Sequence, residues 1–216
     1  LGAAFYTLVI TNSGLGFGPA RLLGGMAFSL GLILVVVGGA ELFTGNNLIV
    51  MAWADGKVTH SGLLRNWGIV YVGNFIGAMG TAVLVSLSGI LGLGDGGVAM
   101  TAIGIAESKL ALPPSEAFVR GILCNVLVCL AVWLCFAART VVGKVVAIIF
   151  PVSAFVALGF EHSIANMYLI PIAALAGADT ITLMRFLTNL IAVTIGNIIG
   201  GGALVAMVYW VIYLRK

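Results

Sequence analysis

The stretch Gly159-Phe160-Glu161-His162-Ser163-Ile164-Ala165-Asn166 places a carboxylate, an imidazole, a hydroxyl and an amide inside an otherwise apolar run, residues 145–175. A transmembrane helix needs roughly 20 apolar residues, so this run is long enough to cross a bilayer. Ionisable side chains at such depth usually face a bundle interior or a water-filled path. The stretch is therefore predicted to interrupt a membrane helix at a functional position.

A second stretch repeats the pattern near the start of the chain. Gly39-Ala40-Glu41-Leu42-Phe43-Thr44-Gly45-Asn46 also interrupts an apolar segment, and both stretches fit Gly-x-Glu-x-x-x-small-Asn. A helix that stops and restarts in hydrocarbon leaves N–H and C=O groups unpaired, which is tolerated only against protein or a wet cavity. The restarting half-helices point positive N-termini at the break, an arrangement that suits an anion.

The composition defines the class of protein. Of 216 residues, 62% are hydrophobic and 8% charged, and the mean hydropathy is +1.21. A water-soluble domain of this size does not hide so much apolar surface, so the sequence predicts an integral membrane protein. The apolar runs are continuous rather than alternating, which favours helices over a barrel. The net charge of +3 is small and scattered, so nucleic-acid binding is not expected.

The cysteines and one of the two histidines carry no functional signal. Cys124, Cys129 and Cys135 share one apolar segment without metal-binding spacing, and they are expected to act as small buried hydrophobic residues. No metal or cofactor is expected. His60 lies in a polar loop and is expected to be solvated.

Six membrane spans are predicted. They cover residues 1–11 (the incomplete end of the first span), 22–54, 66–91, 116–137, 145–175 and 186–213. Residues 55–65 form a polar loop, and residues 92–115 form a long connection with the helix-stopping Pro113-Pro114. Six Lys and Arg residues lie on the side of the C-terminus and four on the other side, which predicts that both termini are cytoplasmic.

A repeated motif divides the chain into two halves. Residues 66–77 and 189–200 both fit Asn-x6-Gly-Asn-x-Ile-Gly, and each motif follows one of the interrupted spans. Residues 1–91 and 116–216 are thus predicted to be two repeats of three spans each. An odd number of crossings in each half makes the second half inverted, and inverted repeats place solute sites near the midplane where broken helices meet.

With these motifs, the sequence resembles the formate–nitrite transporter family over nearly its whole length. The resemblance rests on residues 41–46, 73–74, Asn125, 160–167 and 193–197. Within the family it is strongest to the formate channels, through residues 160–167 and 209–215. The resemblance implies an all-α, aquaporin-like protomer of six spans in which helices two and five are broken. It also implies a homopentamer in a bacterial cytoplasmic (inner) membrane, with one pore in each protomer.

The sequence departs from the family in two places. The N-terminal helix that is implicated in gating in such channels is absent from this sequence, as is part of the first span. The loop between spans five and six is also short, so the resemblance does not define the external rim there.

The resemblance also implies roles for individual residues. The residues expected to form the pore centre and proton relay are His162, Thr44, Glu161, Asn125, Asn166, Lys109 and Asn197. Leu32, Leu42 and Val128 are expected to narrow the pore on the cytoplasmic side, and Phe28, Phe43 and Phe155 on the outer side. Glu161 either clamps the break or takes part in transport. Lys109 either draws anions toward the vestibule or is a solvated loop charge.

The residues themselves supply a reason for a histidine at this depth. A bare anion in a narrow apolar passage meets a desolvation cost of order tens of kcal/mol, whereas the neutral acid crosses far more easily. Histidine, with an ordinary pKa of about 6.5, can lend a proton and recover it. The favoured function is a channel for formate and similar anions such as nitrite, acetate or hydrosulfide, with exchange of protons.

Two other classes of function fit the sequence less well. A neutral-solute pore of the aquaporin kind would carry Asn-Pro-Ala at both breaks, and neither Gly45-Asn46-Asn47 nor Ala165-Asn166-Met167 contains proline. An intramembrane hydrolase would need a nucleophile beside a base. His162 and Ser163 are adjacent on a helix, however, and adjacent helical residues do not face each other. No enzyme activity is expected.

Overall fold

The computed structural model describes residues 1–215, and every regular element in that part of the chain is a helix. The α-helices are α1 (Gly2–Ile10), α2 (Phe17–Phe28), α3 (Leu30–Gly38), α4 (Ile49–Ala54), α5 (His60–Leu87), α6 (Gly97–Leu110), α7 (Pro114–Ala137), α8 (Val141–Ala157), α9 (Ser163–Leu175), α10 (Leu183–Ile198) and α11 (Val208–Tyr213). Single 3₁₀ segments span Gly45–Leu48 and Ile90–Gly92, and the π-helix Ile199–Met207 joins α10 to α11. The prediction of an all-helical fold is confirmed.

Four helical segments of residues 1–215 are long and apolar enough to cross a membrane, judged by length and composition. They are Phe17–Gly38, His60–Leu87, Pro114–Ala137 and Leu183–Tyr213. The apolar helices α8 and α9 are shorter. Large apolar side chains on the outer face of α5, such as Ile69, Ile76 and Leu84, are exposed on the single chain, as expected for a surface that meets lipid or a neighbouring protomer.

Three helices begin four or more residues earlier than the sequence predicted, two of them at a side-chain cap. The first is α2, which starts at Phe17 rather than residue 22 because Pro19 fits within its first turn. At the start of α5, the Thr59 hydroxyl accepts the N–H of Gly62 at 3.1 Å, so this helix starts at His60 rather than residue 66. The hydroxyl of Thr140 likewise accepts the N–H of Gly143 at 3.0 Å and starts α8 at Val141 rather than residue 145.

The long connection predicted for residues 92–115 contains a helix. Helix α6 occupies Gly97–Leu110 and packs on α9 through the buried Ala102 and Ala106. Pro114, expected only to stop a helix, is the first residue of α7, where its missing N–H costs nothing. Helix α6 ends with Lys109 in its last turn, so this helix decides where that ammonium lies.

The chain leaves the helical conformation at both of the predicted interruptions. After α3, Gly39 has φ +76°, and after α8, Gly159 has φ +71°, values that favour glycine. Close helix contacts bring these places together. An ideal Cβ on Gly25 of α2 would lie 2.7 Å from the Cα of Ser153 on α8, so only glycine permits this crossing. Leu32, Val128 and Phe155 belong to the buried cluster between α3, α7 and α8.

Candidate functional site

Asn74 on α5 holds the chain where it leaves α3. The N–H of Phe43 donates to Oδ1 of Asn74 at 2.9 Å, and Nδ2 of Asn74 donates to the carbonyl of Glu41 at 3.0 Å. A backbone that is not helical cannot pair its own N–H and C=O groups, and a side-chain amide offers both a donor and an acceptor. One asparagine therefore replaces two of the hydrogen bonds lost at this break.

Asn197 on α10 makes the same two bonds at the second break. The N–H of Ser163 donates to its Oδ1 at 2.9 Å, and its Nδ2 donates to the carbonyl of Glu161 at 3.0 Å. Nδ2 also donates to the carbonyl of Gly121 on α7 at 2.8 Å. Asn197 was predicted to line the inner side of the pore. In the structure its amide is fully buried and bonded to backbone groups.

The carboxylates at the two breaks also have matching partners. Nδ2 of Asn46 donates to the carboxylate of Glu41 and, at 2.9 Å, to Oδ1 of Asn66. Nδ2 of Asn166 donates to Glu161 at 2.7 Å and to Oδ1 of Asn189 at 2.8 Å. Each half of the chain thus contributes one glutamate and three asparagines in the same pattern of hydrogen bonds. Asn166, a predicted pore residue, lies within this buried network.

The two breaks differ at the residues that lie between the glutamate and the asparagine common to both. Where the second break carries His162, the first carries Leu42, and where the first carries Thr44, the second carries Ile164. Ser163 likewise stands where the first break carries Phe43. Two of these unmatched polar residues meet, since Oγ1 of Thr44 lies 2.9 Å from Nε2 of His162. The polar centre therefore takes one side chain from each half of the chain.

Backbone contacts fix the tautomer of His162. Its Nδ1 accepts the N–H of Ala165 at 3.1 Å and so caps α9. A backbone amide only donates, so Nδ1 carries no proton in the neutral ring, and the proton sits on Nε2. Nε2–H then donates to Oγ1 of Thr44. The hydroxyl hydrogen of Thr44 remains available for another acceptor.

Asn125 on α7 binds the backbone carbonyl of Thr44. Its Nδ2 donates to the carbonyl of Thr44 at 3.1 Å and to the carbonyl of Asn197 at 2.7 Å. Cys129, one turn along α7, lies with its Sγ 3.4 Å from the same Thr44 carbonyl. Cys124, Cys129 and Cys135 are all buried, as expected. Asn125 is thus a positioning residue for Thr44.

Within residues 1–215, three cavities are lined by residues of the two breaks. The Lys109 cavity, named for a lysine on its wall, has a volume of about 500 Å³. The central cavity has about 490 Å³ and the Lys144 cavity, named in the same way, about 520 Å³. At about 30 Å³ per water, each cavity has room for a small anion together with several waters.

Shared wall residues mark the boundaries between the cavities. Phe28, Phe155 and His162 line both the Lys109 cavity and the central cavity. Leu32 and Leu42 line both the central and the Lys144 cavities. The rings of Phe28 and Phe155 meet edge to face at 5.7 Å, and the imidazole stacks on Phe155 at 6.0 Å. Among residues 1–215, His162 is the one imidazole that lines these cavities, and it stands at the aromatic boundary.

Five of the six residues predicted to narrow the pore line these cavities, since Val128 also lies on the wall of the central cavity. Phe43 is the exception. Its ring packs edge to face on Tyr71 at 4.9 Å and on Trp67 at 5.9 Å, away from all three cavities. The irregular backbone of the break turns Leu42 toward the cavities and its neighbour Phe43 into the protein.

Lys109 is paired within the site. Its Nζ lies 2.8 Å from Oε1 of Glu161, and the side chains are 15% and 3% exposed. Lys109 is therefore not a solvated loop charge. The pair lines the Lys109 cavity beside His162. Nδ2 of Asn166 donates to the carboxylate of Glu161, and Nδ2 of Asn197 donates to its backbone carbonyl.

Arg21 was absent from the predicted site residues, although an arginine inside the apolar residues 17–38 was a visible signal. Its Nε donates to the carbonyl of Ala157 at 2.7 Å and its Nη2 to that of Val156 at 3.3 Å. Both are carbonyls of the last turn of α8, where a helix end leaves C=O groups without helical partners; the carbonyl of Val156 also accepts the N–H of Gly159 at 3.1 Å. Asn74 was likewise visible in the repeated motif but was not assigned to the site.

Replacing Asn197 with alanine is expected to lower protein stability by about 2–4 kcal/mol, because three buried backbone groups lose their partners together. Asn74→Ala is the matched comparison and should cost less, since it removes two hydrogen bonds of a half-buried side chain. Thermal unfolding of both purified variants measures the difference. An equal or larger loss for Asn74→Ala would contradict the bracing role of Asn197.

Comparisons with known proteins agree on one family. A sequence profile described as formate/nitrite transporter matches residues 1–211. The "Formate channel FocA" of Escherichia coli (strain K12) is 45% identical over 231 aligned residues, covering 98% of this chain and 81% of the relative.

Two solved structures share the fold. A "Pentameric formate channel with formate bound" superposes with a TM-score of 0.90 at 43% identity, covering 99% of this chain and 92% of that one. An "FNT family ion channel" superposes with a TM-score of 0.86 at 30% identity, covering 98% and 86%. The expected family resemblance is confirmed.

Proposed function

Because this chain belongs to the formate/nitrite transporter family, we propose that it forms a homopentameric channel for formate and similar small anions of weak acids, in a bacterial cytoplasmic membrane. The observation that carries the proposal is the hydrogen bond between Thr44 and His162 at the boundary of two cavities. Channels that are named for formate, one of them pentameric, support the solute and the assembly.

The proposed topology has six crossings in two inverted halves, residues 1–91 and 116–216. Helices α8 and α9 are each too short to span the bilayer alone, so together they form one interrupted crossing. The segment from α2 to α4 is its counterpart. The matched networks around Glu41 and Glu161 support the inverted repeat. The excess of Lys and Arg on the side of the C-terminus supports cytoplasmic termini.

Proton exchange at His162 follows from the hydrogen bonds around its ring. The hydroxyl of Thr44 is fully buried and lines none of the three cavities, so an anion reaches it only by moving past the ring of His162, which lines two of them; the anion then accepts the free hydroxyl hydrogen. For the ring to carry a second proton, Nδ1 must give up the N–H of Ala165, so the charged ring forms at the cost of the cap on α9. An anion in the site offsets that charge. Imidazolium and formate then give neutral imidazole and formic acid, which passes the apolar boundary and later returns the proton.

Two alternative solutes fit the same site. Nitrite and hydrosulfide are small monovalent anions of weak acids, and the Thr44–His162 pair offers them the same donor. A neutral-solute pore of the aquaporin kind is less well supported, because neither break carries Asn-Pro-Ala. The hydroxyl of Ser163 is fully buried and the ring of His162 is occupied by Thr44 and Ala165, which disfavours a hydrolase.

The direct test is anion-resolved flux through purified protein in liposomes at two pH values. Formate flux above that of protein-free liposomes is expected at both, with nitrite and hydrosulfide measured in parallel. Water flux without any anion flux would contradict the proposal and favour the aquaporin-like alternative.

Thr44→Val is expected to lower formate flux about tenfold or more, because valine keeps the shape of threonine but offers no hydroxyl to the anion or the ring. Thr44→Ser is the matched control, since it keeps the hydroxyl and should retain most of the flux. Equal flux through the two variants, with intact pentamers, would remove the Thr44 hydroxyl from the mechanism.

A further inference from the structure

The charges around the two end cavities differ. Arg21, Lys109 and Arg120 line the Lys109 cavity together with a single acid, Glu161. Glu41 and Lys144 are the charged residues that line the Lys144 cavity. The Lys144 cavity is therefore balanced in charge, whereas the Lys109 cavity carries an excess of cations.

Lys109 does not account for that excess. Its ammonium is already compensated by Glu161, 2.8 Å away and almost completely buried. The uncompensated cations of this cavity are therefore the two arginines. Glu116 offsets part of the charge of Arg120 from outside the cavity, at 3.2 Å, but it is more than half exposed. An exposed ion pair of this kind is weak.

The two guanidinium groups converge on Gly159. An ideal Cβ at this glycine would lie 2.9 Å from Nη2 of Arg21 and 3.9 Å from Nη1 of Arg120, and the φ of +71° also disfavours any other residue. The absent side chain leaves room for both cations at the same break that carries His162. Like charges at such separation repel unless an anion lies between them.

Each arginine keeps donors that face no protein acceptor. Arg21 uses Nε and Nη2 for the carbonyls of Ala157 and Val156 and lies over the ring of Phe17 at 5.2 Å. Arg120 uses Nη2 for Glu116. Within residues 1–215, Nη1 of either arginine makes no hydrogen bond. Guanidinium groups held in this way match the paired oxygens of a carboxylate better than a single ammonium does.

We propose that Arg21 and Arg120 form a second anion site, for small carboxylates such as formate, which collects the solute on the Lys109 side before it reaches His162. The inference rests on the proposed function and adds an asymmetry to it. Uptake from the Lys109 side should saturate at a lower formate concentration than uptake from the Lys144 side, because only the former cavity concentrates anions.

The test measures formate current through single inserted pentamers in a planar bilayer, with sodium formate varied on one face at a time. The wild-type protein should give two half-saturating concentrations that differ about threefold to tenfold between the faces. Arg120→Gln should raise the half-saturating concentration on the Lys109 side by about threefold. The value on the Lys144 side and the current at saturation should change little. Glu116→Gln should lower the half-saturating concentration on the Lys109 side, because it removes the carboxylate that offsets part of the charge of Arg120. Both shifts should shrink at high ionic strength.

Arg185→Gln is the matched control. It removes one arginine near the same end of α6, where Nη2 contacts the carbonyl of Leu110 at 3.4 Å, but it does not line the Lys109 cavity. The proposal is overturned if Arg185→Gln shifts the value as much as Arg120→Gln does. It is also overturned if Arg120→Gln and Glu116→Gln shift the value in the same direction, or not at all. Absence of any formate current in the wild-type protein would count against the channel function instead.

Discussion

Replacing His162 with asparagine is expected to remove the pH dependence of formate flux while leaving the pentamer assembled. Asparagine is a good N-cap, so it can accept the N–H of Ala165 that Nδ1 now accepts. It has no group that titrates between about pH 5 and 8. The ratio of formate fluxes at about pH 5.5 and 7.5, after subtraction of the flux into protein-free liposomes, should therefore fall to about one.

Comparison with His162→Phe separates the two roles of the ring. His162→Asn removes only the titratable group, whereas His162→Phe removes both the titratable group and the cap on α9. Phenylalanine neither caps α9 nor donates to Thr44, so we expect this variant to lose pH dependence and about 1 kcal/mol of stability as well. His60→Asn is the matched control. His60 is exposed, its Nδ1 accepts the indole N–H of Trp53 at 2.9 Å, and it lines none of the three cavities. Wild-type pH dependence in an assembled His162→Asn pentamer would exclude the ring from proton exchange.

The polar centre could be predicted from the sequence because polar residues are rare in apolar runs. Each such residue needs a partner, and the repeated Asn-x6-Gly-Asn motif contains four asparagines that serve as partners, Asn66, Asn74, Asn189 and Asn197. Asn74 and Asn197 do make equivalent bonds at the two breaks. Asn197 was expected to line the pore, whereas its amide is fully buried and bonded to backbone groups; the sequence does not show that a non-helical backbone will engage this side chain.

The sequence could not show which apolar residues face the cavities and which pack inside the protein. Leu42 and Phe43 are neighbours in a segment without helical periodicity, and only the path of the backbone turns one toward the cavities and the other toward Tyr71. Helix α6 was missed because the connection is rich in glycine and its core contacts are made by alanines such as Ala102 and Ala106. Their burial depends on α9, which is distant in the sequence.

Lys109→Met is expected to cause the largest loss of stability among single changes at this site. It removes the ammonium and leaves the carboxylate of Glu161, 3% exposed, without a counter-charge. Breaking a buried ion pair from one side typically costs about 3–5 kcal/mol, because the remaining charge cannot be solvated. We expect the thermal midpoint of the pentamer to fall by on the order of 10 °C.

Partner variants separate the lost charge from lost packing. Glu161→Gln should cost less than Lys109→Met, because the remaining ammonium is 15% exposed and reaches the Lys109 cavity. The double variant should recover most of the stability lost in Lys109→Met, since the substituted glutamine carries no charge and its carbonyl oxygen can still accept from Asn166.

Lys57→Met is the surface control: Lys57 pairs with Asp55 but is 69% exposed, so its loss should stay within about 1 kcal/mol. If the losses of the two single variants simply add in the double variant, the 2.8 Å contact between Lys109 and Glu161 contributes nothing as an ion pair.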